Sequence, residues 1–149
     1  MSDSLSISTA ENLREVFIML TRGSVEAMRP VDMTPSRFRV LATLHGAGPL
    51  RMNDLSAMLS IVPRSVTDTV VPLERQGLVQ RERDPRDGRA QVVSLTPAGR
   101  ATYDAVSAKF FAAASEVLSV LDDDEKRQLE GLLKAVRDRQ PTNGKPSQR

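Results

Sequence analysis

Arg86 and Arg89 stand in the middle of the run Leu78 to Gly99, the most chemically distinctive stretch of this chain of 149 residues. On either side of them, Leu78 to Arg83 and Ala90 to Leu95 are each long enough for a strand of about six residues. Between these strands Asp84, Pro85, Asp87 and Gly88 are turn formers. A hairpin with two guanidinium groups at its tip is a poor core element. It suits the narrow, negative minor groove of duplex DNA, which attracts inserted Arg. Arg89 is the first choice for insertion and Arg86 the second. Asp87, two residues before Arg89, is expected to orient its guanidinium and fix the tip. The plainer alternative is a solvated turn with a local ion pair of little energetic value.

A second group of polar residues lies just upstream, at the start of the helical stretch Arg64 to Gln76. Arg64 suits guanine O6 and N7, or a phosphate alone. Ser65 and Thr67 can donate to phosphates. Asp68 is harder to place, because an acid facing DNA repels phosphate. It either accepts from a cytosine amine or holds a nearby Arg, and the second fits better. Arg75 lies on the outer side of the same helix and joins the contact set. Arg51 stands where a Ser or Thr would normally cap the next helix; it cannot accept from backbone amides but can bind a phosphate. Arg81 and Arg83 share one strand face, where backbone contact and a solvated edge are equally good readings.

The elements that must position these groups are mostly helical. Met1 to Thr9 is polar and Ser-rich and reads as loose. Ala10 to Met28 is an amphipathic helix on the spacing of Leu13, Val16, Phe17, Leu20 and Ala27. Thr34-Pro35 supplies an N-cap and a first helical residue for a second helix, with Phe38, Leu41 and Leu44 on one face, stopped near Gly46. A short third helix, Asn53 to Ser60, is expected to bury Leu55, Met58 and Leu59. Pro63 opens the fourth, whose inner face is Val66, Val70 and Leu73, with Gly77 as its C-terminal cap. Pro72 inside that helix predicts a bend or early loosening. After the hairpin, Thr96-Pro97 repeats the start signal for a long helix to about Val120. Asp122 and Glu125 resemble a capping box for a last helix to about Arg139.

The fold class that follows is mainly α with a small β-hairpin wing: a winged helix-turn-helix at 33–95, flanked by a dimerisation helix at 10–32 and two more at 96–139. Residues 1–9 and 140–149 read as disordered ends. The flanking apolar stripes need a surface to cover them, and a second copy of the chain is the simplest candidate.

Composition excludes several function classes. The chain is 40% hydrophobic but only 3% aromatic, so its core is aliphatic and it offers no stacking platform for single-stranded nucleic acid. It has no Cys and one His, which argues against disulfides, zinc-thiolate sites and His-driven catalysis. No cofactor or metal is expected. His45 can line an effector pocket or serve as a structural residue at a helix end, the commoner role. The formal charge of +2 says little, but 17 of the 21 basic residues are Arg. A GC-rich genome explains that bias overall; it does not explain the clustering at the hairpin tip. No apolar run approaches the roughly 18 to 20 residues of a membrane span. The N-terminus lacks a signal-peptide pattern, so a soluble, cytoplasmic protein is expected.

Taken in order, the local motifs resemble the MarR family of bacterial transcription regulators. They are Gly48-Pro49-Leu50, Asp54-Leu55, Ser65-Val66-Thr67, Leu73 through Val79, Asp84 through Arg89, and Val93 through Gly99. Pro72 departs from the family pattern. The resemblance, which tips the hairpin toward DNA, implies a homodimer held by its first and last helices. It also implies a recognition helix in the major groove and a wing in the adjacent minor groove. A small aromatic or lipophilic effector would release the DNA. The resulting expectation is a ligand-responsive repressor on an inverted-repeat operator in double-stranded DNA. A winged helix used only for protein contact is the competing reading, though interface cores are depleted of charge. An enzyme fits least.

Overall fold

A computed structural model describes residues 2–139. Six helices and three short strands follow one another: α1 (Ser2–Met28), α2 (Pro35–Ala47), β1 (Leu50–Arg51), α3 (Met52–Leu59), α4 (Pro63–Arg75), β2 (Val79–Arg83), β3 (Gln91–Leu95), α5 (Pro97–Val117) and α6 (Asp123–Arg139). The chain forms two compact units. One comprises residues 32–105; the other comprises residues 2–31 together with 106–139.

The unit 32–105 has a complete aliphatic core. Val40 and Leu41 of α2, Leu55 of α3, Val66, Val70 and Leu73 of α4, and Val93 of β3 have no solvent exposure. The apolar positions of α2 and α4 recur at helical spacing, so each helix turns one stripe inward. Met58, expected in this core, is instead 39% exposed. It lies three positions after Leu55 on a helix of only eight residues, and Ser56 takes the buried place.

Helix ends are set by local chemistry. The Thr34 hydroxyl accepts from the Arg37 N–H at 3.2 Å, and Pro35 is the first helical residue. At the end of α4 the Gly77 N–H donates to Glu74 and the Leu78 N–H to Leu73, both at 2.9 Å. With Gly77 at φ +71°, this is a complete Schellman closure. It explains why Pro72 does not end the helix early: α4 runs three residues beyond it. A proline in the last turn forfeits a single backbone bond. The doubly bonded cap and the burial of Leu73 hold the turn that follows.

The sheet is three-stranded, with order β1-β3-β2 and every pairing antiparallel. Leu50 and Arg81 both pair with Val93, so β3 is the central strand. The two-residue β1 is an addition to the expected hairpin. Too short to show alternation, it is defined only by its distant partner.

α1 begins at Ser2, so the expected loose segment at residues 2–9 is helical. That segment contains neither Gly nor Pro. The Thr9 hydroxyl donates back to the Leu5 carbonyl at 2.7 Å, which accommodates its polar side chain within the helix. The expected disordered tail, 140–149, lies outside the described residues, as does Met1. α6 opens with a reciprocal capping box: the Asp122 N–H donates to Glu125 and the Glu125 N–H to Asp122, each at 2.9 Å.

Thr96 ties the sheet to α5. Its hydroxyl donates to the Gly77 carbonyl at 2.6 Å and accepts from the Gly99 N–H at 3.0 Å, while its own N–H donates to the Leu78 carbonyl. A Cβ at Gly99 would fall inside the van der Waals envelope of the Leu78 carbonyl oxygen, and neither backbone segment can step aside cheaply. Gly99→Ala is therefore expected to destabilise the protein by about 3 kcal/mol, the upper end of the usual overpacking cost. Urea denaturation monitored by circular dichroism measures it.

Candidate nucleic-acid interface

The hairpin tip is built from two consecutive turns, each headed by an Asp. The Asp87 N–H donates to the Asp84 carbonyl at 3.3 Å, and the Ala90 N–H to the Asp87 carbonyl at 2.9 Å. In each turn the leading carboxylate accepts the N–H two residues on: Asp84 from Arg86 at 2.8 Å, Asp87 from Arg89 at 3.1 Å. Pro85 and Gly88 fill the second positions, where Pro presets φ and Gly is unrestricted. Arg86 and Arg89 thus occupy equivalent places in two copies of one device. Both are exposed, and neither guanidinium makes a hydrogen bond or salt bridge among the described residues, although the Arg86 charge helps lower the Asp84 pKa.

This arrangement corrects one expectation. Asp87 holds the backbone of Arg89, not its guanidinium. The tip is fixed through the main chain and the cation is left free.

Asp84 does more than form a turn. Only 7% exposed, it accepts from the Arg86 N–H through Oδ1 and from Arg51 Nε through Oδ2 at 2.6 Å. The Arg86 amide, followed by Arg51, holds its carboxyl below the usual Asp range. Sequence reading had treated Asp84 as a turn former only. Its one signal was the repeat of Asp at 84 and 87 with Arg two places after each. Arg51, expected to bind a phosphate, makes no side-chain cap for α3 and is paired through Nε with Asp84.

Arg81 is anchored as well. Its Nε and Nη2 donate to Glu74 Oε2 at 2.9 and 2.6 Å, joining the end of α4 to β2. This hydrogen bonding lowers the Glu74 pKa. Neither earlier reading of Arg81, backbone contact or solvated edge, allowed for the tie.

On α4, Arg64, Ser65, Thr67 and Asp68 are all exposed in the first two turns, and Arg75 is exposed in the last. Thr67 donates to the Pro63 carbonyl at 3.3 Å, so its oxygen is what remains for a ligand. The Ser65 hydroxyl, Arg64, Arg75 and Asp68 have no side-chain partner among the described residues. The expected Asp68–Arg pair is therefore absent there. The Val62 side chain cannot cap α4; its carbonyl instead accepts from the Ser65 N–H at 3.0 Å and the Val66 N–H at 3.3 Å.

α4 and the wing border a groove of about 480 Å³, lined among others by Arg51, Asn53, Thr67, Arg81, Asp87 and Arg89. Away from it, the His45 ring stacks on Tyr103 at 4.1 Å, with its Nε2 3.9 Å from Asp104. Among the described residues no group of acids, His or Cys could hold a metal, and no helix is long and apolar enough to cross a membrane.

The MarR family model matches residues 33–90. An uncharacterized HTH-type transcriptional regulator of Bacillus subtilis, YkoM, is 30% identical over 132 residues, covering 86% of each chain. The chain belongs to the MarR family. It is a DNA-binding transcription regulator rather than an enzyme. This MarR-family regulator is also similar to the transcriptional repressor MdtR of B. subtilis, 28% identical over 127 residues covering 85% of this chain and 82% of that one. Among solved structures it resembles a cysteine-to-serine variant of E. coli MarR complexed with operator DNA. The TM-score is 0.71 at 28% identity, over 87% of this chain and 94% of that one.

Since folding lowers the pKa of both Asp84 and Glu74, their ties are complete above the unfolded carboxylate range of about 4. They are lost as pH falls through the lowered folded values. The stability difference between wild type and Asp84→Asn is expected to stay constant from about pH 8 to about pH 5, then shrink below about pH 4. Urea midpoints at stepped pH test this.

Proposed function

We propose that this regulator acts as a homodimeric repressor, with α4 in the major groove and the hairpin wing in the adjacent minor groove of an inverted-repeat operator. The carrying observation is the doubled Asp turn, which spends its acids on backbone and leaves Arg86 and Arg89 unpaired at the tip. The exposed start of α4 supplies Arg64, Ser65, Thr67 and Asp68 as the face toward the bases. The repressor and operator readings draw support from MdtR and from the E. coli MarR complex.

Dimerisation draws support from apolar surface. Phe17, Ile18 and Met19 of α1, Phe111 of α5, and Leu132, Leu133 and Val136 of α6 are all more than 45% exposed. α6 buries no residue at all in the single chain. Most helical stability in proteins comes from tertiary packing of an apolar face, which α6 largely lacks in the single chain. Exposed apolar patches of this kind mark contact surfaces.

Release by a small aromatic or lipophilic effector completes the proposed function. It rests on the family resemblance, and a rise in melting temperature with such compounds tests it.

Gel shifts on the chain's own promoter against random DNA test the central reading: preference for the promoter supports it, and equal binding overturns it. Arg89→Ala is expected to weaken promoter binding by about 1–3 kcal/mol, and wild-type affinity would remove the wing assignment. Phe17→Glu is expected to shift sedimentation toward monomer at micromolar concentration while leaving the unit 32–105 folded.

A further inference from the structure

We infer that Asp84 and Arg51 together form a positioning device that aims one guanidinium edge at a DNA phosphate in the groove between α4 and the wing. The inference rests on the DNA-binding reading above and names the phosphate site within it.

Arg51 donates through Nε to Asp84 Oδ2 at 2.6 Å and makes no other side-chain hydrogen bond among the described residues. Its side chain is 43% exposed and borders the groove. A planar guanidinium held at Nε has a fixed plane, so its Nη donors are committed to one direction instead of sweeping freely. The buried Asp84 is itself fixed, because its other oxygen accepts the Arg86 N–H. Two further donors share the groove: Arg89, whose guanidinium makes no hydrogen bond or salt bridge among the described residues, and the Asn53 amide. The Thr67 hydroxyl gives its proton to the Pro63 carbonyl and offers a phosphate nothing, and Asp87 is the one carboxylate that lines the groove. Arg81 lies there too, but both its Nε and its Nη2 are taken by Glu74.

A strand running from a major groove occupied by α4 to the minor groove under the wing must pass between these two elements, and phosphates are its outermost groups. A pre-aimed guanidinium loses less side-chain entropy on binding one of them. The carboxylate, which by charge alone repels DNA, thereby favours its binding.

The opposed signs make the test sharp. Promoter affinity is measured against salt for the full-length wild type, Arg51→Gln, Asp84→Asn and the double variant. One phosphate contact contributes about 0.9 to the log–log salt slope, or about eightfold between 1 M and 0.1 M salt. Arg51→Gln is expected to lose that slope and roughly that affinity at 0.1 M salt, equally on promoter and random DNA. In Asp84→Asn, Oδ1 still accepts the Arg86 N–H, but an amide NH2 now faces Arg51 Nε. Although this substitution makes the protein more positive, it is expected to weaken binding, and the double variant to be no weaker than Arg51→Gln. Tighter binding by Asp84→Asn overturns the inference, as does an unchanged slope in Arg51→Gln. Should Asp84→Asn fail to fold, Arg51→Lys decides: it keeps the charge without the Nε fork, so lost affinity supports the inference and wild-type affinity overturns it. A wild type with no salt-dependent promoter binding would instead remove the functional reading itself.

Discussion

A wing can be aimed only if its hairpin is stiff, and the stiffness of this one comes from β3 being hydrogen-bonded along both edges. A two-stranded hairpin alone is marginally stable in water. Here β1 adds the third strand, and Val93, paired on both sides, is fully buried. β1 runs directly into α3, so the pairing of Leu50 with Val93 fixes the start of that helix and the base of the wing in one step. On the other edge Arg81 clamps Glu74, which makes the last turn of α4 continuous with β2. α4 and the wing are thus two ends of one hydrogen-bonded frame.

That frame sorts the cations into two populations. Arg51 and Arg81 are paired with carboxylates and serve the frame. Arg64, Arg75, Arg83, Arg86 and Arg89 have no side-chain partner among the described residues and surround it. Glu74 and Asp84 are each offset by a framework guanidinium, while Asp87 bonds a turn amide and keeps its charge. The Arg residues of the module still outnumber its acids. A positive field can then form on one face of a chain whose formal charge is only +2. Counterion release responds to that local arrangement more than to the total.

What was legible in the sequence was what is decided locally. Thr34-Pro35, Thr96, Gly77 and the Asp122–Glu125 box each act within a few residues, and each forms the bonds that its residue type favours. The stripe Val66, Val70 and Leu73 was visible because helical period alone sets it. What escaped depends on distant partners. β1 exists only because of Val93, more than forty residues on. The Arg51–Asp84 pair spans 33 positions, and no local rule joins them. Asp87 was assigned to the right neighbour and the wrong atom: its short side chain reaches the amide two residues on, as Asx turns do, before it reaches a guanidinium. Early loosening at Pro72 was expected because propensity was weighed without the cap behind it.

The two units differ in what they leave undone. Residues 32–105 close their own core, with seven aliphatic side chains of α2, α3, α4 and β3 wholly buried. Their exposed large apolar side chains are few, chiefly Met58 and Val62. The helices outside that unit carry many of their large apolar side chains outward, and no residue of α6 is fully buried in the single chain. Folding of the reading head and pairing of two chains are therefore separable demands written into different residues. Joining two heads turns the second binding event into an intramolecular one, and this raises affinity with no new contact to DNA. A lone head with so modest a charge would bind weakly and without regard to spacing. In the proposed dimer, selecting paired half-sites would depend on the apolar faces as much as on the cations of the wing.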